Sequence, residues 1–153
     1  MDEGLTTFVQ YLAEQEFGEK YPEIIAPLDK FPSDRGPAQL ITDYMSVDQN
    51  FLAPIMSNPE NVYYLGPNAY GKPAAALNIL RETIMGKELF DYAFKTYSQR
   101  WMFKHPTPED FFRTMEDASA VDLDWFWRGW FYSTDFVDIG LKEVNQYLSL
   151  IHI

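Results

Sequence analysis

The sequence predicts a mainly α fold. Apolar residues recur at helical spacing in successive stretches, and proline and glycine punctuate those stretches where helices begin or end. Any strand is confined to the tail beyond Phe136, where Val137, Ile139 and Leu141 partly alternate with polar residues.

Taken in order, Leu5, Phe8, Val9 and Leu12 mark the first helix, with Asp2 and Glu3 in the turn where the macrodipole favours acids. Gly18 and Pro22 end or bend it. From Pro22 to Asn68 the prolines at 22, 27, 32, 37, 54, 59 and 67 restrict the chain to short helices. One is expected over Pro37–Met45, with Pro37 in its first turn, and the stretch Phe51–Pro67 is expected to be extended and loop-like. Helix returns after Tyr70, where Leu77, Leu80 and Ile84 form a stripe and Gly86 supplies a C-terminal stop. Phe90, Phe94, Tyr97 and Trp101 mark the next helix, broken by His105-Pro106. Thr107-Pro108-Glu109-Asp110 combines a capping hydroxyl, a first-turn proline and acids, a strong helix start, and Phe111, Phe112 and Met115 give that helix its apolar side. Asp122 can cap one more, carrying Trp125, Phe126, Trp127, Trp130 and Phe131. Ser149–Ile153 resembles neither cap nor core and is expected to be an accidental terminus.

The 153 residues suffice for one domain with a core, and 12 Phe, 10 Tyr and 4 Trp demand extensive burial. The net charge of -11 argues against nucleic-acid backbones and anionic membrane surfaces, and is compatible equally with an acidic cleft that attracts an ammonium group and with a charge that serves solubility alone. The absence of cysteine excludes disulfides and thiolate zinc sites. The two histidines, His105 and His152, cannot by themselves build a His-rich metal site. No apolar run approaches the roughly 20 residues of a membrane span, and the first residues carry no signal-peptide pattern.

Few residues suggest chemistry. Glu3 is either a solvated acid serving the helix dipole or a carboxylate metal ligand on a helix. Hydrolytic zinc sites use three protein ligands, often two imidazoles of a His-Glu-x-x-His helix and an acid from a second helix. Tyr70, in Ala69-Tyr70-Gly71-Lys72-Pro73 before a helix, is either a packed aromatic or a phenol that donates to a developing oxyanion. The cluster Trp125–Phe131 invites a docking-groove reading, but core packing explains it better. His105 is a loop residue before a helix. Arg35, Lys72 and Arg128 are expected to serve as structural ion-pair partners.

Together these segments resemble the zinc aminopeptidases of the aminopeptidase N (membrane alanyl aminopeptidase) and leukotriene hydrolase family. Asp2-Glu3-Gly4 with Phe8 is similar to that family's Trp-x-x-Glu-Gly segment, which puts Glu3 at the third zinc ligand. Tyr70-Gly71-Lys72 is similar to its Tyr-x-Lys-Gly element, which puts Tyr70 at the transition-state tyrosine. Lys104–Phe112 and Asp122–Phe126 are similar to its later helical pair. Pro73 departs from the glycine usual there. The chain holds neither His-Glu-x-x-His nor Gly-x-Met-x-Asn, the elements that supply two zinc ligands, the general base and the peptide-backbone contacts.

The resemblance implies a helical C-terminal subdomain of a thermolysin-like (gluzincin) metallopeptidase catalytic domain over residues 1–140, with 141–153 a tail or the start of a following segment. It implies one zinc ion in the intact parent, a peptide substrate with a free N-terminus, and a missing N-terminal half of the catalytic domain as partner. It also implies that this stretch alone is inactive and exposes apolar surface where that half packs. The alternative is a non-catalytic helical interaction domain with an aromatic docking face.

Overall fold

The computed structural model describes residues 1–27, 37–137, 139–140 and 142–144, with the backbone alone for residues 37, 38, 40 and 59. Helix α1 spans Asp2–Lys20 and runs past Gly18, and α2, Pro22–Ile25, starts on its proline. Helix α3 spans Pro37–Met45 as the proline spacing predicts. The stretch from 51 to 67 is less extended than expected. Short 3₁₀ turns occupy Gln49–Phe51 and Pro59–Asn61, the first held by the Asp48 carboxylate accepting from the Asn50 amide at 3.0 Å.

Helical structure resumes three residues before Tyr70 rather than after it. A π-helical turn, Pro67–Gly71, leads directly into α4, Lys72–Ile79, and a second π turn, Leu80–Ile84, extends it. The junction residues Gly71 and Leu80 keep right-handed helical dihedrals, so 67–84 is one rod with a widened turn at each end. Gly86, at φ +80, turns the chain into α5, Lys87–Trp101. That left-sided φ suits glycine because no Cβ opposes it. Helix α6, Pro108–Ser119, begins with the expected capping signal. The Asp110 carboxylate accepts from the Thr107 amide at 2.9 Å, and the Thr107 hydroxyl accepts from the Asp110 amide at 3.4 Å. Helix α7, Asp124–Phe131, has Leu123 at its N-cap and no side-chain cap, so Asp122 does not cap it as expected; one residue earlier, its carboxylate accepts from the Asp124 amide at 3.1 Å and closes the turn that leads into the helix. No strand occurs among the described residues. The rest of the tail expected as strand, and Ser149–Ile153, lie outside them.

Helix α4 packs against α1, α3 and α7, while α5 and α6 pack on one another. Ala74, Ala75 and Ala76 are all buried, and their small side chains let neighbouring helices come near the α4 backbone. Around this rod runs a chain of rings. Phe8 of α1 meets Phe90 and Phe94 of α5 at 5.5 and 5.9 Å, and Phe94 and Tyr97 meet Phe111 of α6 at 6.2 and 4.9 Å. Phe111 and Phe112 then meet Trp127 of α7 at 5.8 and 4.5 Å. Edge-to-face and offset contacts of this kind add roughly 0.5–1.5 kcal/mol per pair beyond burial. The Trp127 indole N–H is satisfied within this core by Glu116 Oε1 at 3.2 Å.

Phe111 is the ring shared by α5, α6 and α7 and is fully buried. Phe111→Ala is expected to lower the unfolding free energy by about 3–5 kcal/mol, against about 1 kcal/mol for removal of the cap in Thr107→Ala, both read by denaturant titration.

Candidate active site

Glu3 occupies the exposed first turn of α1, and its backbone carbonyl accepts from the Thr7 hydroxyl at 2.8 Å. Tyr70 projects from the π turn that opens the α4 rod and is 43 % exposed. The two come together because α1 crosses this turn and the start of α4 at Gly4, where it has no side chain. Gly4 is buried, and a Cβ built on it would overlap Pro73 Cγ, stand 2.5 Å from Pro73 Cβ and 3.3 Å from the Ala69 carbonyl oxygen. Pro73 thus fills the space that Gly4 leaves, and the substitution noted in the sequence becomes part of the helix contact.

Across this contact the Glu3 carboxylate is the largest influence on the Tyr70 phenol. Its negative charge pushes the phenol above the ordinary tyrosine value, with partial desolvation, hydrogen bonding to Glu3 and the charge of Asp2 acting in the same direction. The phenol therefore stays protonated, and able to donate, throughout the neutral range. The π turn itself is anchored from below. Asn68 is buried, its side-chain N–H donates to the Ala53 carbonyl at 2.8 Å, and its Oδ1 has no partner among the described residues. Tyr64, just before the turn, has φ +61, an uncommon conformation for a bulky residue, and its carbonyl accepts from the Asn68 amide at 3.2 Å.

Other sequence-derived candidates fall elsewhere. His105 lies exposed in the turn between α5 and α6, and His152 and Arg35 are outside the described residues. Phe126, Trp127 and Phe131 are buried, so most of the aromatic cluster is core, although Trp125 is 61 % exposed. Lys72 is not an ion-pair partner among the described residues. Its ammonium, almost fully buried, donates to the Tyr44 hydroxyl at 3.2 Å and to the Ser133 carbonyl at 2.9 Å, and lies 4.9 Å from the centre of the Tyr44 ring. Burial pulls this lysine down to about 8, against an opposing pull from Asp135.

As for a metal, Glu3 presents an exposed carboxylate, an oxygen donor of the kind zinc accepts. Among the described residues it belongs to no group of three potential ligands, so this stretch fits one ligand of a zinc site and not the whole set. The acidic trio Glu116, Asp122 and Asp124 is a separate feature at the α6–α7 turn, where Glu116 Oε1 already accepts from the Leu123 amide and the Trp127 indole.

The chain is thus mainly helical, with Glu3 and Tyr70 on one exposed face where α1 meets the start of the α4 rod. The description "Peptidase family M1 domain" matches residues 1–130, and the chain belongs to that family. The matched range holds Glu3, Gly4, Tyr70, Pro73 and the α6 capping box. No curated protein and no solved structure matched. Among the described residues, no helix is long and apolar enough to cross a membrane.

Two outcomes are expected from these contacts. Gly4→Ala should destabilise the fold by about 1–3 kcal/mol through overpacking, and Gly4→Ala with Pro73→Gly should recover about 0.5–3 kcal/mol relative to the sum of the single changes, measured as a double-mutant cycle. The lowered Lys72 means that, above about pH 8, the folded chain releases a proton that the unfolded chain still holds. Stability should therefore rise with pH from about 8 towards 10, by at most about 1.4 kcal/mol per pH unit. Lys72→Met should abolish that rise in denaturant titrations.

Proposed function

We propose that this chain is the C-terminal part, residues 1–140, of the catalytic domain of a zinc-dependent aminopeptidase, which removes N-terminal residues from peptides. The observation that carries this reading is the meeting of Glu3 and Tyr70, brought from opposite ends of a long sequence interval to one exposed face.

In this reading Glu3 supplies one carboxylate ligand to zinc, held in place by the rigid first turn of α1. Zinc, when bound, would polarise the scissile carbonyl and lower the pKa of a water molecule towards neutrality. The Tyr70 phenol donates a hydrogen bond to the oxygen of the scissile carbonyl as negative charge develops on it, an interaction that strengthens in the transition state. Gly4 and Pro73 fix the separation between ligand and donor. The sequence contains no His-Glu-x-x-His, so two imidazole ligands and the general base would come from residues outside this stretch.

The exposed apolar side chains support the same reading. Phe51, Tyr63, Tyr64 and Leu65 are 66, 53, 41 and 46 % exposed and precede Tyr70 in the chain. Their rings are linked, Phe51 to Tyr63 at 6.0 Å and Tyr63 to Tyr64 at 5.6 Å. Such a surface suits cover by the remainder of a catalytic domain.

The test is made on the protein as natively expressed, with an aminoacyl-anilide substrate and a parallel zinc assay. Tyr70→Phe is expected to reduce kcat by about a hundredfold or more while leaving zinc content unchanged. Glu3→Ala is expected to lower zinc content. Unchanged turnover in Tyr70→Phe would remove the tyrosine from the mechanism, and unchanged zinc content in Glu3→Ala would remove Glu3 from the metal site.

A further inference from the structure

The face of the α4 rod that carries Lys72 borders a cavity with a different chemistry. Its volume is about 500 Å³, within the roughly 300–1,000 Å³ of ordinary small-ligand pockets. Ile41, Tyr44 and Met45 of α3 form one wall, and Trp125, Phe126 and Trp130 of α7 form the other. The charged groups that line it are Lys72 and Asp135.

The position of Lys72 is unusual for a cation. Buried charges are normally matched by a counter-charge, because the loss of hydration otherwise goes uncompensated. Here both hydrogen-bond acceptors, the Tyr44 hydroxyl and the Ser133 carbonyl, are neutral. An ammonium has three donors, and these two partners use two of them. Asp135 acts on the lysine from a distance, without an ion pair among the described residues, and it is itself exposed. The lowering of Lys72 to about 8 has burial as its first cause, which is the signature of a cation short of an anion.

We propose that this cavity binds a small amphipathic monocarboxylate, whose headgroup takes the third donor of Lys72 and whose apolar body lies between the α3 and α7 walls. The carboxylate supplies the missing counter-charge at short range, and charge-assisted hydrogen bonds of this kind are roughly twice as strong as neutral ones. The apolar body displaces water from the tryptophan and phenylalanine surfaces. Asp135 at the same cavity sets an upper limit on affinity by repelling the headgroup. The site lies apart from Glu3 and does not depend on the peptidase reading.

The probes are octanoate, octan-1-ol and octylamine, titrated calorimetrically into the whole chain near neutral pH and followed by tryptophan fluorescence. Octanoate is expected to bind saturably, at least about tenfold more tightly than octan-1-ol. Lys72→Met should bring octanoate down to the affinity of the alcohol without weakening the alcohol. Should Lys72→Met fail to fold, Asp135→Asn, an exposed substitution, carries the test at about pH 6, where Lys72 stays charged even without the upward pull of Asp135: it should tighten octanoate several-fold and leave octan-1-ol unchanged. Equal binding of acid and alcohol, tighter binding of octylamine, absence of saturable octanoate binding, or an octanoate affinity indifferent to Asp135→Asn would each overturn the proposal.

Discussion

Where α1 meets the start of α4, two backbones approach more closely than any side chain on α1 would allow. Glycine inside a helix costs about 1 kcal/mol relative to alanine, and Gly4 sits in the first turn of a helix with no packing of its own to offer. What it offers is room. The Pro73 ring and the Ala69 carbonyl occupy the space a Cβ would need, and through that contact the carboxylate before Gly4 and the phenol before Pro73 are held together. A separation wider by the thickness of one methyl group would leave both helices intact and move Glu3 away from Tyr70.

The ring chain makes this approach stable. Phe8, one helical turn beyond Gly4, is fully buried against Phe90 and Phe94. The same contacts continue through Phe111 to Trp127 and Phe131. α1 is thus tied to α5, α6 and α7 through aromatic faces, and its amino-terminal end is steered onto the α4 rod. The exposed face that Glu3 and Tyr70 share is therefore carried by a buried scaffold, and side chains on such a scaffold are held more precisely than side chains on loops.

The α4 rod presents two faces of different character. Its opening π turn widens the helix where Tyr70 leaves it, and π turns of this kind recur where a helix must present a side chain out of register. Tyr70 faces α1 and remains half exposed, whereas Lys72, two residues on, faces α3 and the segment after α7 and is almost fully buried. The environments push the two groups in opposite directions. A nearby carboxylate raises the phenol, and burial lowers the amine, so each favours its uncharged form for a different reason.

The helices were largely legible because their signals are local. Pro37, the Thr107–Asp110 box and the Phe90–Trp101 spacing each act within a few residues, and α3, α6 and α5 appear where those signals put them. The family was legible too, since Glu3, Tyr70 and the later helical pair occur in order along the chain. Hydrophobic spacing placed the helix start after Tyr70, because a π turn has no periodic signature distinct from a loop rich in proline, asparagine and glycine. Lys72 reads from sequence as a structural ion-pair partner because sequence does not disclose desolvation, which depends on α3 and the segment after α7 closing over it. Composition and local pattern by themselves determined a helical, aromatic-rich, acidic chain, and the order of its motifs carried the resemblance to a peptidase family. Only the tertiary structure decided that Gly4 faces Pro73, that Glu3 and Tyr70 share a face, and that Lys72 is buried at an apolar cavity, because each of these depends on contacts between residues far apart in the chain.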